Sequence, residues 1–437
     1  MAVNALRKLA AAAPVPLFVA EGEGGRERIE DLALSADIDW VASPRHASIL
    51  LVVGRIRTAD YEALQRVHDQ LPHPRATLCW GSDADLPGAL RVDAAADPQE
   101  TLRSLYRDLL LGTRASDSHW LPDEPPAPWR GLGDHGQGGK GMMGGTPYGR
   151  PMPMPPQPDI RDGLNLDPYT ARFGPYLPLL PPGLVLELTL QGDVVQSATV
   201  IRPPYAPGAA LAEPFRRALT EPVAIATLER LRAGHHLRCV AQVLALLQLP
   251  SRAERCRRMA HAVESGKNAD IAGLHLHRRL RRSGSLRAIP TGLGRVAADE
   301  AVALGGVVQR AAGKPADARL DRAPYQALGF EPVVQGAGTA RARVDQWLAE
   351  ATQSLALVRA AGDATIHGAA LEGPCGRVSR DEPEPAAAPD LAQRLPGLEW
   401  GQALLLLASF DRAALVRMLP VAEAKDDGDA ADEADSK

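Results

Sequence analysis

Apolar and polar positions along the chain fall into two regimes, separated by a stretch with no periodicity at all. Residues 27 to 112 carry the pattern of an α/β unit. His46–Gly54, HASILLVVG, is a near-continuous apolar run of the kind carried by a strand buried on both faces. Ala59–Gln70 follows as an amphipathic helix with Tyr61, Leu64 and Val67 on one side. Arg75–Trp80 predicts a second strand, Leu90–Val92 a short third one, and Pro98–Leu111 a closing helix. This alternation implies a small doubly wound parallel sheet with loops at the strand C-terminal ends. Further on, Gly183–Ser197 alternates apolar and polar around Gln191-Gly192-Asp193, as a β-hairpin does. From Pro214 the period becomes helical: Glu221–Leu247, Ser251–Glu264, Asp270–Arg282, Ala297–Ala312, Arg341–Ala361 and Leu404–Leu419.

Between the regimes lies Gly131–Asp167, crowded with Gly, Pro and Met. Gly removes the backbone bias toward regular structure and Pro removes a donor and fixes φ, so this run predicts a joint between two folded bodies. The chain is accordingly read as an α/β domain at 1–120, a linker at 121–170, a mainly helical α+β domain at 171–425 and an acidic disordered tail at 426–437. Met142, Met143, Met152 and Met154 would also suit an arm laid over a partner. Arg7 and Lys8 before an Ala-rich segment resemble a signal peptide, but Pro14 and Pro16 break that segment, and a short amphipathic helix from Val3 to about Ala12 is expected instead.

Lys+Arg 49 against Asp+Glu 53 gives a net charge of −4, which leaves no global nucleic-acid footprint. The four cysteines, Cys79, Cys239, Cys256 and Cys375, form no CxxC pair, pointing to a reducing compartment. The longest apolar runs, Ile49–Val53 and Ala403–Ala408, are too short to span a bilayer. Asp83, Asp85 and Asp93 sit where ligands bind in doubly wound sheets, but on position alone they are expected to be solvated turn residues. His235 with His236, and His275 with His277, are spaced so that each pair diverges on a helix, so neither chelates a metal alone. HGQGGKG lacks the spacing and flanking elements of a phosphate loop. The basic run at 277–282, with Arg255, Arg257 and Arg258, would suit anionic lipid or an acidic partner.

Two sets of segments carry a family resemblance. ILLVVGRI, LPHPRATLCWGSDA and DPQETLRSLYRDLL resemble the small, cluster-bearing subunit shared by respiratory complex I and the membrane-bound nickel–iron hydrogenases. FGPYLPLLPPGLVLELTLQGDVV, VAQVLALLQLPSRAERCRRM, GGVVQRAAGKPADARLDRAPY, RVDQWLAEATQSLALV, LEGPCGR and LLLLASFDRAALVRM resemble the large, hydrogenase-like subunit of the same complexes. The resemblance implies a fusion of the two, with a small-subunit-like and a large-subunit-like domain.

The departures decide what the resemblance implies. In the small subunits four thiolates hold an iron–sulfur cluster. Their positions fall near Gly24 and Glu27, on Asp83, and near Ala94. The nickel–iron thiolates fall near Glu229–Arg232 and Asp411–Ala413, so Arg232 and Ala413 stand at degenerate positions. The quinone-binding hairpin with its His reads Gly174–Gly183 here and has none. His235 and His236 lie where the family places a His beside the old cavity. The expectation is a pseudoenzyme with no catalytic residues, no bound metal, cluster or quinone, docked on antiporter-like integral membrane subunits at the cytoplasmic face of the cell membrane, in an ion- or proton-translocating assembly. Two alternatives stand beside it: an oxidoreductase subunit handling quinone or electrons through a neighbour, and a soluble regulatory binder using the vacated cavity.

Overall fold

The computed structural model describes residues 10, 12–122, 168–205, 211–266, 278–280, 282–379 and 390–419. The first part builds an all-parallel sheet from β1 (Val15–Glu21), β2 (Ile38–Trp40), β3 (Ile49–Val53), β4 (Ala76–Trp80) and β5 (Leu90–Val92), in the order β2-β1-β3-β4-β5. Every residue of β3 and β4 is buried, which is why both read as unbroken apolar runs. Helices α1 (Arg26–Leu32) and α3 (Gln99–Leu111) share a core with one face through Leu17, Ile29, Leu51 and Leu105. Helix α2 (Tyr61–Asp69) shares one with the other face through Phe18, Leu50, Val52 and Leu64. The sheet is therefore wound on both sides, and its loops at the β1 and β3 C-terminal ends flank the point where strand order reverses.

Strand β1 corrects the sequence reading. Pro14 and Pro16 read as breakers, and the α/β unit was expected to start at residue 27. Instead β1 lies inside the sheet between β2 and β3. Pro16 is tolerated because it stands at the strand's second residue, where its carbonyl still accepts from the Ser48 N–H at 2.9 Å. The expected helix from Val3 to Ala12 falls almost wholly outside the described residues, as do residues 123–167 of the joint and the acidic tail.

A second, antiparallel sheet has the order β6-β7-β8, from β6 (Pro168–Phe173), β7 (Val185–Gln191) and β8 (Val194–Arg202). β6 begins within the segment assigned to the linker, and β8 continues five residues past Ser197. Next come α4 (Glu213–Ala218), β9 (Val223–Ala224), α5 (Ile225–Leu246) and α6 (Pro250–Glu264), then α7 (Ala298–Leu304), α8 (Gly306–Ala311), α9 (Ala323–Ala327) and α10 (Ala340–Ala360). β10 (Thr365–Ile366), β11 (Ala370–Gly373), β12 (Gly376–Ser379), α11 (Trp400–Ala408) and α12 (Arg412–Arg417) complete the described chain. The largest core gathers Leu237, Val240, Cys256, Val307, Trp347 and Leu406. Two expected helices are broken. Ala297–Ala312 splits at Gly305, whose φ of +64° no continuing helix allows. Leu404–Leu419 splits at Ser409-Phe410, and Asp411 caps the restart by accepting the Ala414 N–H at 2.8 Å.

Polar contacts join the sheet to the rest of the chain. Asp60, fully buried before α2, lies 2.8 Å from Arg202 Nη2 and accepts from the Tyr205 hydroxyl at 3.4 Å. Arg57 lies over the Tyr205 ring at 4.2 Å and donates to the Pro203 carbonyl at 2.9 Å. Burial pushes the Asp60 carboxyl up, and Arg202 and Arg57 oppose it. Arg202→Ala leaves that carboxylate unpaired in the joint. Denaturant unfolding is expected to show a loss below the roughly 3–5 kcal/mol of a fully buried pair, because Arg202 is partly in water. A variant as stable as the parent would show the pair to be energetically idle.

Candidate functional site

Helix α5 presents two chemically different faces. Glu229, Arg232 and His236, spaced three and four apart, lie on one side and are fully buried. His235 and Cys239, four apart, line a cleft on the other.

The inward face feeds a closed network of charge. The Glu229 carboxylate accepts from Tyr325 OH at 2.6 Å, Ser354 Oγ at 2.6 Å, Arg319 Nη1 at 3.2 Å and Arg232 Nε at 3.3 Å. Burial pushes this carboxyl up, but Arg232, Arg319 and the two hydroxyls outweigh it and hold Glu229 at about 2. Arg310 forms a two-pronged pair with Glu350 at 2.7 and 3.0 Å and reaches Glu372 Oε1 at 2.8 Å. Arg319 pairs with Asp317 at 2.7 and 2.9 Å. His236 Nε2 lies 3.2 Å from Glu350 Oε2. Arg232 donates to the Gly373 and Glu372 carbonyls, both at 2.6 Å, tying β11 to α5.

The outward face opens into a cleft of about 2390 Å³ between α1, the loop 175–182, α5, α6, the turn at 374–375 and α12. His235 Nε2 stands between two thiols, 3.5 Å from Cys239 Sγ and 3.3 Å from Cys375 Sγ. Burial, with His236 and Arg238 nearby, pushes His235 down to about 3, so the imidazole is neutral. Burial raises both thiols far above their ordinary range, with Asp411 adding to the effect, so they stay protonated and are weak nucleophiles. Burial pushes Asp411 itself up to about 6 despite the Ala414 amide and Arg417. On the sheet side, burial raises Glu30 to about 7 against Arg238 and Arg26. Arg238 bridges Glu30 and Glu264, and Gly234 makes room for this: a Cβ there would lie 2.0 Å from Glu264 Oε1. The walls thus combine neutral hydrogen-bonding groups, weakly acidic carboxyls and apolar residues such as Leu177 and Leu180.

The residues singled out from the sequence divide cleanly. Gly24, Asp83 and Ala94 follow β1, β4 and β5, at one end of the sheet. Gly24 is exposed, Asp83 accepts the Ile56 N–H at 3.2 Å, and Arg28 crosses from α1 to the Gly81 carbonyl at 3.2 Å, where Gly81 abuts Ala94. Glu27 lies in α1, in the same end of the sheet. Asp85 pairs with Arg91 at 3.3 Å and Asp93 accepts the Ala95 N–H at 2.8 Å, so both act as turn residues. Arg232 joins the network, whereas Ala413 lines the cleft. His235 and His236 diverge, one to the cleft and the other to the network. His275, His277 and HGQGGKG fall outside the described residues. Sequence reasoning missed Asp317, Arg310, Arg319, Glu350 and Glu372, and the meeting of Cys375 with His235. The available signal was charge at core positions of the apolar helices, with Glu229 and Arg232 one turn apart. Among the described residues no group of three or more His, Cys, Asp or Glu side chains is arranged to hold a metal ion.

No family model matches the chain. No curated protein matches it either. Among solved structures it is similar to a chain of the membrane-bound sulfane sulfur reductase, an archaeal respiratory membrane complex. That likeness covers 57% of this chain and 98% of the other, at 15% identity and a TM-score of 0.41.

Two outcomes follow from this geometry. Because the folded Asp411 pKa is raised, the native state binds the extra proton between about pH 4 and 6, and stability falls as pH rises through that window. Asp411→Asn keeps a capping oxygen and should gain on the order of 2–3 kcal/mol at pH 7, a gain that fades toward pH 4 in denaturant titrations. A pH-independent difference would refute the assignment. Arg232→Ala strips two carbonyls and Glu229 of a donor, and thermal or chemical unfolding should register a loss of about 3 kcal/mol or more.

Proposed function

We propose that this chain is a catalytically silent structural and coupling subunit of a complex I-like membrane assembly, facing the cytoplasm and docked on antiporter-like integral membrane subunits. The order of the resembling segments, small-subunit-like and then large-subunit-like in one chain, supports the reading. One observation carries it: Arg232, in the stretch near which the resemblance puts a metal thiolate, is a fully buried guanidinium bound to Glu229 and the Glu372 and Gly373 carbonyls. A group so tied is an architectural anchor and cannot ligate a cation. The residues at the cluster positions do not fit a four-thiolate cluster either: Gly24 has no side chain, Ala94 no donor, and Asp83 is a hard oxygen ligand engaged by a backbone amide. Among the described residues no helix is long and apolar enough to cross a membrane, consistent with attachment through partners. A single chain also fixes the two portions at one-to-one stoichiometry and high effective concentration.

The cleft supports a second reading, a regulatory binder. Its volume, neutral His235 and protonated thiols suit a small uncharged or weakly anionic ligand held by hydrogen bonds rather than covalently. A ligand of that class should raise the melting temperature in a concentration-dependent way, and His235→Phe should remove the shift.

The primary test is purification of the tagged full chain from detergent-solubilised membranes, with mass spectrometry and iron quantification on one sample. Integral membrane subunits recovered with iron far below one per chain is the expected result. Stoichiometric iron bound to this chain would overturn the silent assignment, and quantitative recovery as a free chain would overturn the docking.

A further inference from the structure

The cleft holds one guanidinium that the fold leaves without a hydrogen bond. Arg412 opens α12 and lines the cleft, with its side chain only 19% exposed. Its one ion contact among the described residues is Glu21 Oε1 at 3.8 Å, too long for a hydrogen bond. The other Glu21 oxygen is taken by Arg26 Nη2 at 2.8 Å. Two guanidinium groups thus share one carboxylate, which leaves a surplus of one positive charge. Glu30 also acts on Arg412, but burial raises it to about 7, so near neutrality it carries only part of a charge. Burial and the Arg26 charge push Arg412 below the ordinary arginine range, as happens to a cation short of anionic partners. The same guanidinium is near enough to His235 and Cys375 to act on both. A mostly buried arginine whose donors find no acceptor among the described residues is served by whatever enters the cleft.

The apolar walls narrow the class of ligand. Trp40, Leu179, Val302 and Leu320 are large apolar side chains that stand exposed, and all four line this cleft. Exposed apolar groups gathered along one cleft, rather than scattered singly, mark a binding surface. At about 2390 Å³ the cleft is also far larger than a bare anion such as acetate fills. We infer that the cleft binds a monocarboxylate with an aliphatic body, its carboxylate paired with Arg412 and its chain laid against these apolar walls. This rests on the reading of the cleft as a ligand-binding site and gives that site its ligand class. The planar guanidinium fork matches a carboxylate through two parallel hydrogen bonds. Neutral His235 and the protonated Cys375 thiol border the position without adding negative charge. A surplus of one charge suits a monoanion, whereas a neutral ligand leaves the Arg412 charge uncompensated.

The test titrates octanoate, its neutral isostere octanamide, and acetate into the full chain at pH 7 by isothermal calorimetry. Octanoate should bind about tenfold or more tightly than octanamide, which lacks the charge, and than acetate, which lacks the apolar body. Arg412→Gln removes no hydrogen bond made within the described fold, and its melting curve is checked against the parent. In that variant octanoate should fall to the level of octanamide, while octanamide binding stays unchanged. The comparison of octanoate with octanamide on the parent chain stands even if the variant does not fold. Equal binding of the two on the parent, both lost in His235→Phe, would overturn this inference and leave the cleft a binding site for another ligand class. Octanoate bound equally by the parent and Arg412→Gln would overturn the assignment to Arg412. Binding of neither compound would overturn the inference and the binder reading together.

Discussion

The structure depends on burying seven ionised groups together. Arg232, Arg310, Arg319, Glu229, Asp317, Glu350 and Glu372 lie at or near zero exposure in the helical part. Each alone would cost several kcal/mol to strip of water, and only a closed set of short, mutually satisfied contacts offsets that. Their partners come from α5, α8, α10, β11 and the loop at 317–319, so the network sets these elements in one arrangement. A shift of any one element would orphan a buried charge. The constraint is stiffer than apolar packing, which tolerates sliding at modest cost.

The cleft inherits its chemistry from this arrangement. Since Glu229, Arg232 and His236 are committed inward, helix geometry turns His235 and Cys239 outward. Low polarity around them keeps the imidazole and both thiols uncharged, while Glu30 and Asp411 hold protons to unusually high pH. At this boundary the sheet and the helical part meet through charge, with Glu30 on Arg238 and Glu21 within 3.8 Å of Arg412. Such contacts specify orientation more than they add stability.

How far the sequence was legible follows from the range of each interaction. Strands β3, β4 and β5 and helices α2, α3, α6 and α10 were readable because period and burial are local properties of ten or so residues. β1 was not, because Pro16 looks like a breaker until its neighbours on both sides supply the ladder. The breaks at Gly305 and Ser409 likewise hid inside helical periods, where one backbone dihedral outvoted the pattern.

The sequence by itself determined an α/β portion followed by a helical one, and that its four cysteines form no CxxC pair. It also determined that adjacent His235 and His236 must diverge, since helix geometry leaves no choice. Tertiary structure alone decided what each charge faces. Cys375 lies 140 residues from His235 and the two meet at 3.3 Å, and Arg310 finds Glu350 and Glu372 across three elements. No local period encodes such meetings, because a buried charge is stable only where the whole fold supplies its counterpart.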